Sequence, residues 1–213
     1  LAPTCFLGEL SEVRRHGEVT ILVLDRELAR DLDGTPALRQ GNLIYARKQA
    51  MAFFAWDRLS DPMQQNNRYL KIALDAYGLS LEALLENPPD HQEALGDFLD
   101  RELEAVIRHE MGEARESSLK EAFPALLSLF PQTRVELWIR GLKDVLAEVN
   151  EWGRLAYIIE NRALPSLALM LAWRPGLYSL LLPELEPAFH RVAARGDWQA
   201  LETVIGARPD VLN

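Results

Sequence analysis

A dense group of ionisable side chains lies in the stretch Asp97–Glu121, which reads DFLDRELEAVIRHEMGEARESSLKE. His109 and Glu113 are four residues apart, and Glu110 precedes Glu113 by three, so a helix would place all three close together. An imidazole and carboxylates at this spacing could exchange protons with a substrate or hold Fe or Mn. The candidate metal or acid–base cluster consists of five residues, two of which flank the others along the helix: His109, Glu110, Glu113, Glu102 and Glu116.

The stretch is predicted to form one long helix whose apolar face turns acidic halfway along. Its first half repeats large apolar residues at helical spacing, namely Leu95, Phe98, Leu99, Leu103, Val106 and Ile107. Glu110 and Glu113 continue the same face. A buried carboxylate without a partner is costly, so each must be protonated, paired with a cation or bound to a metal. Gly112, in mid-helix, predicts a close neighbour at this level.

Arg47 is the cation that we expect to form an ion pair with one of these acids. The predicted helix Pro36–Leu59 carries apolar residues nearly all the way round, so we expect it to be central in the fold. Arg47 lies on one of its apolar faces and therefore needs a carboxylate partner. An ion pair between Arg47 and Glu110 or Glu113 would satisfy both groups without any catalytic role. A third interpretation is that the acidic face simply turns out to solvent.

Composition and charge exclude several classes of protein. The net charge is -9, and no basic stripe is present, which argues against nucleic acid as a partner. No apolar run reaches the roughly 18 residues that a membrane span needs, so no membrane insertion is expected. The single cysteine, Cys5, excludes an intramolecular disulfide framework and fits a reducing compartment, so we expect a cytoplasmic protein.

The chain as a whole is expected to be all-α. Residues Val19–Leu24 favour a strand in isolation, but no second strand candidate is evident, so Leu7–Leu32 is predicted to be helical. A helical bundle is expected over residues 1–149, followed by a solenoid-like array of helical hairpins over residues 150–213. The two parts form either separate units or one continuous domain.

Three segments near the C-terminus share the pattern Leu-x-x-apolar-apolar-x-x-Arg, beginning at Leu155, Leu167 and Leu201. A short helix of this kind cannot bury its apolar stripe alone, whereas stacked copies can. The last segment, Pro187–Asn213, resembles a single ankyrin-like repeat. The residues shared with that repeat are Ala193, Ala194, Gly196, Leu201, Val204, Ile205 and Asn213. The resemblance implies stacked helical hairpins and partner binding, and it implies no catalysis.

The sequence supports two functions from different classes. The first is a non-catalytic interaction or adaptor module that binds a protein partner or another copy of itself. Its support is the repeat pattern and the lack of a glycine-rich phosphate loop, a nucleophile elbow or a zinc motif. The alternative is a carboxylate/histidine metal-dependent enzyme with Fe or Mn in the bundle. That enzyme would need further ligands from other helices, for which Asp57 and Asp75 are the nearest candidates.

Overall fold

The computed structural model describes residues 6–30, 34–116, 122–173 and 175–206. Its N-terminal part forms a four-stranded mixed sheet, and the rest of the described chain is mainly helical. The prediction of an all-α chain is therefore wrong, and the fold is α/β. Cys5 lies outside the described residues.

The sheet is built from two hairpins. β1 (Phe6–His16) and β2 (Val19–Arg30) are antiparallel, and Gly17 lies in the turn between them with a φ of 61°. β3 (Ala37–Gln40) and β4 (Leu43–Arg47) form the second hairpin. β4 lies parallel to β2, so the strand order is β1-β2-β4-β3.

The sequence does not reveal β1 because its apolar residues do not alternate. Leu7, Leu10 and Val13 are three residues apart, as on a helix, and they are 60%, 54% and 49% exposed. They lie on an edge strand whose register shifts after Leu7, after Glu9 and after Leu10. Irregularities of this kind break the two-residue period that marks a strand. Val19–Leu24 therefore has a strand partner that the pattern did not indicate.

The predicted helix Pro36–Leu59 is helical only in its second half. Its first half is the β3–β4 hairpin, and the helix begins at Lys48. The apolar pattern runs all the way round because a buried strand and a buried helix follow each other. Ile44 faces the core from the strand and Met51 faces it from the helix, and both are fully buried.

Eleven helices are present in the described residues. Their bounds are α1 Lys48–Ser60, α2 Arg68–Ala76, α3 Leu81–Glu86, α4 Gln92–Arg115, α5 Ala122–Leu129, α6 Arg134–Val149, α7 Arg154–Glu160, α8 Leu164–Trp173, α9 Pro175–Leu181, α10 Leu185–Arg195 and α11 Gln199–Gly206. Short 3-10 turns at Pro62–Gln64 and Pro88–His91 separate some of them. Within the described ranges, none of the helices is long and apolar enough to cross a membrane.

α4 is the central helix of the fold. It confirms the prediction of a long helix over Asp97–Arg115, and residues 117–121 lie outside the described chain. α4 contacts α1, α6, α7 and both strands of the β3–β4 hairpin. Its apolar half is buried through Phe98, Leu103 and Ile107. Its acidic half therefore lies where the sheet meets the C-terminal helices.

One hydrophobic core connects the sheet to the helices. Ile21 and Ile44 contribute to it from the sheet, and Phe189 and Leu201 contribute from α10 and α11. The same cluster crosses residue 149, where we expected the bundle to give way to hairpins.

The three segments of the C-terminal pattern lie on α7, α8 and α11. α8 is buried from Ser166 to Ala172 and packs on α2 and α10, whereas α7 packs on α4 and α6. α10 and α11 contact each other and are joined through Gly196, whose φ is 65°. Arg174 and Arg208, which end the second and third segments, lie outside the described residues. The repeat therefore stays a prediction.

The acidic half of α4 lies against α6 at a glycine. A Cβ atom on Gly112 would lie 2.2 Å from the carbonyl oxygen of Ala147, and one on Gly153 would lie 2.1 Å from the same oxygen. The Asn150 side chain donates a 2.9 Å hydrogen bond to the Gly112 carbonyl. The close neighbour predicted for Gly112 is therefore confirmed, and it is the backbone at the end of α6.

Replacing Gly112 with alanine should destabilise the fold by about 1–3 kcal/mol, because the new methyl group overlaps backbone that cannot move freely. Gly96→Ala in the same helix is the matched control, since a Cβ atom there meets nothing within 4 Å. The control should be neutral or stabilise the fold by up to ~1 kcal/mol. Urea denaturation followed by circular dichroism measures both variants. Equal stability of the two would contradict the close contact.

Candidate active site

The acids of α4 meet different partners, and Glu102 is the first along the helix. Glu102 is 4% exposed. It accepts hydrogen bonds from the Tyr77 hydroxyl at 2.9 Å and from the Ser166 hydroxyl at 2.7 Å. Burial raises the pKa of Glu102, while these two hydroxyls and the charge of Arg154 oppose the rise. Glu102 is therefore a buried carboxyl group whose hydrogen bonds are satisfied.

His109 joins α4 to α6 through its two ring nitrogens. Nδ1 lies 3.0 Å from Glu148 Oε1, and Nε2 lies 3.5 Å from Glu113 Oε1. The Tyr178 hydroxyl donates a 3.1 Å hydrogen bond to the same Glu148 oxygen. Burial lowers the pKa of His109, but the charge of Glu148 and hydrogen bonds with both carboxylates raise it overall to about 9. The ring is therefore an imidazolium at neutral pH, paired with two acids.

Glu113 is paired with three cations. Lys143 Nζ lies 2.6 Å from Glu113 Oε1, and Arg39 Nη2 lies 3.8 Å from Oε2. Burial raises the pKa of Glu113, but hydrogen bonds from His109 and Lys143 lower it overall to about 2. α6 and β3 thus supply the positive charge that this acid requires.

Arg47, the partner that we predicted, is paired elsewhere. It is fully buried at the end of β4 and forms an ion pair with Glu27 of β2. Its Nη1 also donates a 2.8 Å hydrogen bond to the Thr35 carbonyl. The predicted ion pair with Glu110 or Glu113 is wrong because Arg47 lies in a strand beside β2 and not on a helix that faces α4.

Glu110 has no ion-pair or hydrogen-bond partner among the described residues. Its side chain is partly buried, and burial raises the pKa of its carboxyl group. The charge of His109 opposes that rise, and the charge of Glu113 adds to it. The fifth predicted residue, Glu116, is the C-cap of α4, where its N–H donates to the Gly112 carbonyl.

A cavity of about 750 Å³ lies beside these groups, between α1, α4, α8 and the segment 34–37. Its wall combines ionisable and aromatic side chains, among them Glu102, His109, Glu110, Arg154, Phe53, Phe54, Trp56 and Trp173. The volume falls within the ~300–1,000 Å³ range of small-molecule sites. Of the two further ligands suggested by the sequence, Asp57 lines this cavity, whereas Asp75 is exposed on α2.

Among the described residues, one group of side chains could hold a metal ion, and it includes a residue that the sequence did not indicate. Ligand atoms of His109, Glu113 and Asp144 lie within 4.8 Å of one another. Glu148 contacts the other ring nitrogen of His109, as carboxylates commonly do behind metal-ligating histidines. The Lys143 ammonium group forms an ion pair with Glu113, so a metal ion would have to displace it.

Sequence reasoning missed the side chains that α6, α7 and α9 contribute. Glu148 interrupts the apolar stripe of α6 and is fully buried, which is the same pattern that drew attention to Glu110. Asp144 precedes Glu148 by four residues, so one face of α6 carries both acids. Arg154 and Tyr178 begin or lie within short helices, where no comparable pattern marks them.

Comparison with known protein families finds matches to the two domains of one family. Residues 1–47 match the model of the N-terminal domain of a family of unknown function, DUF6866, and residues 52–210 match the model of its C-terminal domain. The boundary between the two matches falls where β4 ends and α1 begins. Neither match is an ankyrin or other helical-repeat family. No curated protein and no solved structure matches the chain.

A metal titration separates an ion-pair network from a metal site. We expect the intact protein to bind Mn²⁺, Fe²⁺ or Zn²⁺ weakly, because the Lys143 ammonium and the His109 proton compete with the ion. Lys143→Met should strengthen binding at least about tenfold, and Asp144→Ala should remove that gain. Isothermal titration calorimetry measures each affinity.

Arg140→Met is the matched control for this titration, because it removes an exposed cation from the same helix. It should leave the affinity unchanged. If Lys143→Met binds none of the three ions, the cluster is an ion-pair network and the metal interpretation fails.

Proposed function

This chain belongs to the family of unknown function DUF6866, and from its geometry we propose that it is an enzyme that performs acid–base chemistry on a small molecule. The molecule binds in the cavity beside α4, and Glu110 exchanges a proton with it. The volume of the cavity and its mixture of aromatic and ionisable side chains support this proposal. Clefts and cavities with a few converging polar groups are the usual sites of such chemistry.

The observation that carries the proposal is the isolation of Glu110 on the cavity wall. Glu102, Glu113 and Glu148 each have hydrogen-bond or charge partners. Glu110 makes no hydrogen bond or ion pair with a described residue, and burial raises its pKa, although the charges of His109, Arg39 and Lys143 oppose the rise. An unsatisfied acid with a shifted pKa in a cavity has the properties of a catalytic proton donor or acceptor.

The neighbouring cation gives Glu110 a polarised environment. His109, the preceding residue, is held between Glu148 and Glu113 as an imidazolium. A fixed positive charge at this position stabilises negative charge that develops on a bound molecule. If Fe or Mn binds His109, Glu113 and Asp144, the ion replaces the imidazolium proton as the positive charge, and the enzyme becomes metal-dependent.

Glu110→Gln should abolish turnover and stabilise the protein at neutral pH. Because the folded-state pKa of Glu110 is raised, its contribution to stability is complete below the unfolded value of ~4.3 and is lost as the pH rises through the folded value. The gain in free energy of unfolding should therefore be larger at about pH 8 than at about pH 4. Urea denaturation at both values measures it. Turnover is measured as the depletion of compounds from a metabolite extract by mass spectrometry.

Glu93→Gln is the matched control, because Glu93 is exposed in the first turn of the same helix. Since a carboxylate in the first turn favours the helix, this variant should not be stabilised at about pH 8, and it should leave the depletion unchanged. The acid–base proposal fails if Glu110→Gln depletes the same compound at the unchanged rate, or if the intact protein depletes no compound.

A second function, the interaction module, is supported by an exposed apolar face. Leu129, Leu137 and Leu180 are 68%, 69% and 65% exposed, and Trp138 is 49% exposed. They lie on or at the ends of α5, α6 and α9, and α6 contacts the other two helices. Large exposed apolar side chains grouped on one face are typical of a protein interface. Under this proposal a second copy of the chain, in the cytoplasm, covers the face.

Leu137→Glu should reduce self-association, because it places a charge in the middle of this face. Sedimentation velocity at increasing protein concentration measures the oligomeric state. Met63→Glu is the control, since Met63 is 83% exposed on the turn after α1, and it should have no effect. A protein that stays monomeric at every concentration would remove self-association from the proposal.

A further inference from the structure

Three buried hydrogen-bond donors at the cavity have no acceptor among the described residues. Within the described part of the chain, the Nε atoms of Arg58 and Arg154 and the Nε1 atom of Trp173 are buried and make no hydrogen bond. All three side chains line the same cavity as Glu110. Folded proteins leave few buried donors unsatisfied, so three of them around one cavity need an explanation.

Arg154 forms an ion pair with Glu148 but donates no hydrogen bond to a described residue. Its Nε lies 3.4 Å from Glu148 Oε2, and its side chain is 12% exposed. Its guanidinium group donates no hydrogen bond to any other described residue. Burial lowers the pKa of Arg154, but the charge of Glu148 and of other nearby groups raises it overall. Arg154 therefore brings to the cavity a positive charge that Glu148 partly offsets, and N–H groups that make no hydrogen bond with a described residue.

One aromatic ring positions the other two donors. The Cζ atom of Arg58 lies 5.3 Å from the centroid of the Phe54 ring. The ring of Trp173 meets Phe54 edge-on, with centroids 5.3 Å apart and an interplanar angle of 88°. These contacts orient both side chains without using their N–H groups as hydrogen-bond donors to an acceptor atom. α1 and α8 thus add a second guanidinium and an indole N–H to the cavity that Arg154 lines.

We infer that the cavity binds its small molecule through a carboxylate or phosphate group held by Arg58 and Arg154, with the Trp173 N–H as a further donor. This inference rests on the proposed function, in which the cavity holds a small molecule. Guanidinium groups recognise such oxyanions through paired, charge-assisted hydrogen bonds. Asp57, Glu102 and Glu110 also line the cavity, so the negative charge of the ligand is confined to the part that meets the arginines.

Four benzene derivatives test the inference, because the cavity wall is partly aromatic: benzoate, phenyl phosphate, benzamide and benzamidine. Binding is followed by tryptophan fluorescence, since Trp56 and Trp173 line the cavity, and by thermal stability. At least one of the two anions should bind about tenfold more tightly than neutral benzamide, and cationic benzamidine should not bind. The anion that binds more tightly identifies the group as a carboxylate or a phosphate.

Arginine-to-lysine variants show which side chains hold the anion. Arg58→Lys and Arg154→Lys keep the charge but remove the planar set of donors, so each should weaken anion binding at least about tenfold. Arg140→Lys changes an exposed arginine of α6 and should have no effect. Arg58 forms no ion pair with another described residue. Its variant therefore tests the inference even if Arg154→Lys fails to fold.

Three results would overturn the inference: binding of benzamide as tight as that of both anions, anion binding that survives both lysine variants, or no binding of any of the four compounds. None of them decides whether Glu110 is catalytic. That proposal fails separately, on the turnover and stability of Glu110→Gln.

Discussion

Every buried carboxyl group on α4 has to be protonated or matched by donors and positive charge, and this requirement organises the interior of the protein. α6 supplies Lys143 and β3 supplies Arg39 to Glu113. α8 supplies a hydroxyl to Glu102. Because these partners come from elements far apart in the sequence, the acids of α4 tie the sheet and the C-terminal helices together. Glu110 is the acid of this group that makes no hydrogen bond or ion pair with a described residue.

The N-terminal sheet is part of the candidate site and not an appendage to the helices. Arg39 reaches Glu113 from β3, and the segment 34–37 forms one wall of the cavity. The buried ion pair between Arg47 and Glu27 joins β4 to β2 behind that wall. The site therefore draws on both regions matched by the family models, residues 1–47 and 52–210. On the other side of the site, the close contact between Gly112 and the backbone of α6 holds α4 in place.

Periodicity in the sequence predicted α4, its change from an apolar to an acidic face and the close approach at Gly112. It could not name the partners, because a helical pattern shows that an acid is buried without showing what faces it. The sheet was missed since shifts of register in β1 break the strand period. Arg47 was correctly expected to need a carboxylate partner. Because its strand was interpreted as a helix, the predicted partner was Glu110 or Glu113, whereas the partner is Glu27. Arg154 and Tyr178 carry no pattern at all and become visible only in three dimensions.

The protonation states of Glu110 and Glu113 distinguish a reactive site from a fully paired network most directly. The two carboxyl carbons can be followed in one ¹³C NMR titration of the intact protein. Glu113 should titrate at about 2, because His109 and Lys143 hold its charge. Glu110 should titrate above the ordinary value of ~4.3, because burial disfavours its charge more strongly than the charges of His109, Arg39 and Lys143 favour it. Ordinary pKa values for both groups would contradict the account of Glu113 as a paired acid and the account of Glu110 as a buried acid with no ion pair among the described residues.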